Sequence, residues 1–163
     1  VGGGRRVWCG GWWWRGGSGA VGAGEVGRLL GRWVRRRVGT GVAAGEAFTA
    51  GEFMGFGGRV GLLDVEPDPF RLRFRLLGTR VTLAVGRDAT GSYLDEVYEP
   101  VYWNRLRQHF RRAIDERRPL RMFGNMAHSR KPHVAAESID MPLAGPDGSV
   151  AMILQGFDFE DAY

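Results

Sequence analysis

Residues 61–81 read GLLDVEPDPFRLRFRLLGTRV, and this stretch decides the fold. Phe70, Leu72, Phe74 and Leu76 alternate with Arg71, Arg73 and Arg75. Strict alternation is the pattern of a strand with one face buried and the other in water. Just before it, Val60–Val65 is a short apolar run bounded by Gly58 and by Pro67-Asp68-Pro69. A run of that length closed by a turn reads as a buried strand. Two strands joined by Glu-Pro-Asp-Pro make a hairpin, which fixes antiparallel pairing.

Toward the C-terminus, Thr79–Val85 reads as a short helix with Thr79 as its N-cap, stopped by Gly86. Asp88, Thr90 and Ser92 can cap the turns that follow, and Tyr93-Leu94 opens another short helical piece. Val101–Arg117 is the long helix: Tyr102, Leu106, Phe110, Ala113 and Ile114 share a face, between Pro100 and Pro119. Leu120–Ala127, His133–Leu143 and Val150–Phe159 read as three further strands. Their turns are Ser129-Arg130-Lys131-Pro132 and Gly145-Pro146-Asp147-Gly148. The order is β-β-α-α-α-β-β-β, an α+β class in which the middle helices cover one face of an antiparallel sheet.

The chain divides into four parts: a Gly/Trp/Arg-rich stretch at 1–24, a helix and loop at 25–57, the body at 58–159, and a short tail at 160–163. Residues 1–24 hold ten glycines and four tryptophans without a helical or strand period, so a disordered tail is expected. Its GC-rich residue types and initial Val suggest upstream sequence from a misassigned start. In residues 25–38, Val26, Leu29, Leu30, Trp33, Val34 and Val38 form one apolar stripe, with Arg28, Arg32, Arg35 and Arg36 largely opposite. That helix needs something to cover, either its own sheet or a partner's.

Net charge is +5. Residues 1–57 carry eight arginines against three glutamates, while 58–163 carry fifteen basic and fifteen acidic groups. The body is therefore neutral, which disfavours nucleic-acid binding by it. A lesser alternative is a basic regulator touching nucleic acid through the N-terminal third. Cys9 is the single cysteine, and His109, His128 and His133 show no metal-ligand spacing, so no metal site is expected. No run of eighteen apolar residues predicts a membrane-spanning helix, and no signal-peptide pattern is present, which points to the cytoplasm.

The motif series sharpens this reading. Gly78-Thr79 follows the second strand, and Gly86-Arg87-Asp88-Ala89-Thr90-Gly91, with Leu94-Asp95-Glu96, precedes the long helix. In that order, over roughly residues 25–159, the chain resembles a bacterial family of stand-alone PAS-domain proteins. The resemblance implies a PAS fold: a five-stranded antiparallel sheet with short helices and one long helix on one face, here preceded by an amphipathic helix. Gly78, Thr79, Gly86, Arg87, Asp88, Thr90 and Gly91 are then expected to hold turns and helix starts rather than to touch ligand. An ion pair from Arg87 to Asp95 or Glu96 is a further expectation.

The resemblance also implies a regulatory sensor, not an enzyme, with a small molecule between sheet and helices and output through a signalling protein partner. Alternation and the inner helix face nominate Phe74, Leu76, Leu106, Phe110, Met122, Ile139, Met141, Ile153, Gln155 and Phe157 as cavity lining. Both faces of the last strands carry apolar residues, so their facing stays open. The alternative is a ligand-free protein–protein interaction module in which these residues are simply a packed core. The cofactor is unassigned: Cys9 lies in the tail, against flavin–cysteine chemistry, and a lone His109 on the long helix does not make a haem site. No P-loop, GxSxG or paired-carboxylate constellation is present. A homodimer through Val26, Leu29, Leu30, Trp33 and Val34 is the expected use of the leading helix.

Overall fold

The computed structural model describes residues 7–9, 12–14, 24–39, 41–126 and 131–160. In chain order the elements are β1 (Val7–Cys9), β2 (Trp12–Trp14), α1 (Glu25–Arg35), β3 (Ala43–Ala44), α2 (Ala50–Met54), β4 (Val60–Pro67) and β5 (Phe70–Leu77). Then come α3 (Thr79–Val85), α4 (Leu94–Val97), α5 (Pro100–Asp115), β6 (Leu120–Met126), β7 (Lys131–Ala144) and β8 (Val150–Glu160). The sheet order is β1-β2-β6-β7-β8-β4-β5, with β3 beside β7. Its five main strands, β6-β7-β8-β4-β5, are antiparallel throughout.

The expected hairpin forms, with Val65 opposite Leu72 and Leu63 opposite Phe74. The register then shifts: Leu62 faces Leu76, so Arg75 is an extra residue in a β-bulge. The free edge of β5 is covered by the Gly86–Gly91 motif and its neighbours. Gly91 N–H donates to Phe74 O at 2.7 Å and Phe74 N–H donates to Ser92 O at 3.0 Å. Backbone groups that would otherwise template foreign strands are thereby paired.

The remaining motif residues have equally local roles. Gly86 and Gly91 sit at φ 86° and 88°, the left-handed region, and Gly86 ends α3. Gly78, not Thr79, is the N-cap of α3, and a Cβ on Gly78 would lie 2.2 Å from Gly58 O. Backbone meets backbone there, so no side chain fits. Asp88 Oδ1 accepts from Thr90 N–H at 2.9 Å. Arg87 donates to Val97 O at 2.7 Å, whereas Asp95 and Glu96 are paired by Arg71. The expected Arg87 ion pair is thus replaced by a helix-end contact.

Both faces of the sheet are covered. On the inner face, α3, α4 and α5 bury Leu63, Leu72, Phe74, Leu94, Leu106, Phe110 and Ile153. On the outer face, α1 lays Val26, Leu29 and Trp33 onto Ile139, Met141, Leu143 and Leu154. Trp33 Nε1 donates to Pro142 O at 2.9 Å. Asp158 on β8 holds the start of α1, accepting from Val26 N–H at 3.2 Å and from Arg59 at 3.0 Å. A carboxylate suits the donor-rich N-terminal end of a helix. The apolar stripe thus covers the chain's own sheet. Of the residues assigned to a partner surface, Val26, Leu29 and Trp33 are buried, Leu30 is partly buried and Val34 is exposed.

The boundary at residue 57 separates nothing physically, since α1 and β3 both pack on strands of the body. Within 1–24, where no period is visible, β1 and β2 form a short hairpin on the open edge of β6, Trp12 opposite Gly124. Val and Trp favour strands wherever a partner edge is offered. Residues 1–6, 10–11 and 15–23 of that stretch, residues 127–130, where a turn is expected to begin, and residues 161–163 of the tail lie outside the described residues.

Candidate functional site

Strand alternation carries Ser138 and Asp140 of β7, and Gln155 and Phe157 of β8, to the inner face. Asp140 lies opposite Gln155, and Ser138 opposite Phe157. With α3, α4 and α5 above them, Ser138, Gln155 and Phe157 bound a cavity of about 50 Å³. Phe74, Leu106, Phe110, Met122, Gln155 and Phe157, all nominated from sequence, line it. So do Leu77, Val81, Val85, Leu94, Tyr98, Tyr102, Ser138 and Phe159, which were not nominated.

Four nominations fall elsewhere. Ile153 is buried in the inner-face core next to the cavity. Ile139 and Met141 are on the outer face under α1. Leu76 is opposite Leu62, which packs on that same outer cluster, because the bulge at Arg75 exchanges the facing of Leu76 and Leu77. A bulge has no sequence signature here, and the outer-face residues were ambiguous because α1 buries that face as well.

The cavity wall is strongly aromatic. Tyr98 and Tyr102 meet edge to face at 5.1 Å, and Phe157 and Phe159 stack at 5.9 Å. Burial pushes the Tyr98 hydroxyl up to about 12. It also raises Tyr102 well above the ordinary tyrosine value, with the neighbouring Tyr98 and Asp140 adding to the effect. Both phenols stay protonated under all ordinary conditions.

One end of the cavity is polar. Asp140 is fully buried, and Oδ1 accepts from Gln155 Nε2 at 2.7 Å. Its Oδ2 lies 2.7 Å from His109 Nε2 and accepts from Ser138 Oγ at 3.4 Å. The carboxylate is an acceptor, so Nε2 carries the shared proton, and His109 Nδ1 is buried without a hydrogen-bond partner among the described residues. A buried cluster of this kind is costly unless satisfied, so its position beside the cavity marks the site. In the sequence, His109 stands only as a lone histidine on the long helix, and no paired-carboxylate constellation draws attention to Asp140. Nothing local indicated that 31 residues of separation would close into a 2.7 Å contact.

A family model described as PAS domain matches residues 26–156. This chain belongs to the PAS-domain family. No curated protein and no solved structure matches it significantly. The match begins within α1, so the helix on the outer sheet face is part of the PAS unit here. PAS domains are regulatory sensor and interaction domains, typically not catalytic. Among the described residues no cluster of His, Cys, Asp or Glu could hold a metal ion, and no helix is long and apolar enough to cross a membrane.

Proposed function

We propose that this PAS domain is a sensor of the stand-alone bacterial type, which binds a small molecule in its inner cavity and signals through a protein partner. The observation that carries the reading is a polar cluster whose Ser138 and Gln155 stand in the wall of an aromatic cavity, backed by the buried Asp140 and His109. A sheet face needed only for packing is cheaper to fill with aliphatic side chains. The route outward is short. Ser138, Asp140 and Gln155 alternate along β7 and β8 with Ile139, Met141 and Leu154, on which α1 rests. A ligand that shifts these strands also shifts α1, whose solvent side carries the exposed Val34.

A ligand-free interaction module is the second reading, and the small cavity favours it. An apolar cavity that takes benzene is about 150 Å³. Native mass spectrometry of the purified protein, with melting measured across a metabolite panel, separates the two. A bound mass, or a melting shift with one metabolite class, is expected. An unliganded mass and an unmoved melting point throughout would leave the interaction module standing.

A further inference from the structure

Gly61, the second residue of β4, lies between Gln155 of β8 and Leu77 of β5. A glycine inside a buried strand weakens it, and it marks a place where something must approach closely. Its backbone is not in the left-handed region, so conformation does not call for glycine here. Space does. A Cβ at Gly61 would lie 3.1 Å from Gln155 Oε1 and 3.4 Å from Phe157 Cε2. The missing side chain therefore lets Gln155 Oε1 and the Phe157 ring pack directly against the β4 backbone on the inner face, and so sets where Oε1 stands at the cavity's polar end.

The chemistry of that end is one-sided. Gln155 is held with Nε2 on Asp140, so its amide cannot be turned, and Oε1 faces Gly61 with no hydrogen bond among the described residues. Ser138 Oγ directs its proton to Asp140 and keeps its lone pairs. Behind both lies the buried carboxylate of Asp140. Among the described lining residues none is basic. Aromatic ring faces are themselves weakly negative and attract cations. Gln155 Oε1 and the Ser138 Oγ lone pairs are thus acceptors with spare capacity, and the carboxylate behind them disfavours an anion at this end.

We infer that the cavity selects a compact ring or chain carrying an N–H or O–H donor, uncharged or cationic, read by Gln155 Oε1 and Ser138 Oγ, with Gly61 giving Gln155 the room to hold Oε1 there, and that it excludes anions. The inference rests on the proposal that the cavity is a ligand site. Met122 in the wall has a flexible side chain that lets the small cavity widen around a five-membered ring.

Pyrrole, furan and pyrrole-2-carboxylate form a matched test: a ring with a donor, the same ring without it, and the donor ring made anionic. They are titrated into the full chain while the Gln155 side-chain amide is followed by ¹H–¹⁵N NMR. Pyrrole is expected to shift that resonance and to bind about tenfold or more tighter than furan, the scale of one lost hydrogen bond in a buried site. The carboxylate is expected not to bind, and Gly61→Val, whose side chain displaces Gln155 Oε1 and Phe157 from the strand, to abolish the pyrrole shift. Equal binding of furan, or binding of the carboxylate, overturns the donor inference while leaving the cavity a ligand site. If no probe moves the Gln155 amide, the cavity reading fails and the inference with it. The wild-type series decides the matter even if Gly61→Val does not fold.

Discussion

Asp140 shows how one buried residue sets its neighbourhood. Three side chains converge on its two oxygens, and none of the four residues reaches a tenth exposure. Removing the carboxylate would leave His109 Nε2 and Gln155 Nε2 as buried donors without acceptors. Asp140→Ala is expected to destabilise the domain by about 3–5 kcal/mol, the usual result of breaking a buried pair from one side. Replacing both members with apolar residues, His109→Leu with Asp140→Leu, is expected to cost clearly less than the two single changes summed. Urea unfolding midpoints of the four proteins measure this. A strictly additive cycle would show that His109 and Asp140 do not act as a pair. This contact was not legible in the sequence, because an isolated His and an isolated Asp carry no pairing information until the topology brings α5 onto β7.

At the scale of elements, legibility followed the solvent. β5 was readable because Arg71, Arg73 and Arg75 face water and mark the alternation, and they are held there by acidic partners including Asp64 and Asp95. β7 and β8 were readable as strands but not in their facing, because α1 removes the wet face and leaves apolar residues on both sides. The same burial makes the contact between α1 and the sheet intolerant of added volume. A Cβ at Gly156 would sit 2.9 Å from Leu29 Cδ2 and 3.2 Å from Ile139 Cγ2. Gly156→Val is therefore expected to push α1 off β8, at about 1–3 kcal/mol for overpacking. Hydrogen exchange measured by mass spectrometry should show faster exchange in peptides covering 25–35, with those covering α5 unchanged. Uniform acceleration throughout the domain would mean that α1 does not loosen separately.

For the whole molecule, α1 decides how the basic N-terminal third and the neutral body relate. The stripe that looked like a dimer surface is occupied by the chain's own sheet, and Arg28, Arg32 and Arg36 opposite it are also engaged within the chain. Arg28 and Arg32 lie over Phe56, Arg36 over Phe48, and both Arg32 and Arg36 pair with Glu52. Val26, Leu29 and Trp33 are each 1% exposed, and burying such side chains contributes roughly 1.5–3 kcal/mol apiece. The two roles for α1 make opposite forecasts for a chain lacking residues 1–38. If α1 joined two copies, the shortened protein would have the smaller assembly mass. If α1 covers the sheet, its loss exposes Ile139, Met141, Leu143 and Leu154 as one apolar surface, of the kind that drives association. Size-exclusion chromatography with light scattering is expected to give a larger, concentration-dependent mass for the shortened chain than for the full one, together with a lower melting point. A stable monomer that melts like the full chain would show that the outer face needs no cover, and that α1 is free to serve a partner.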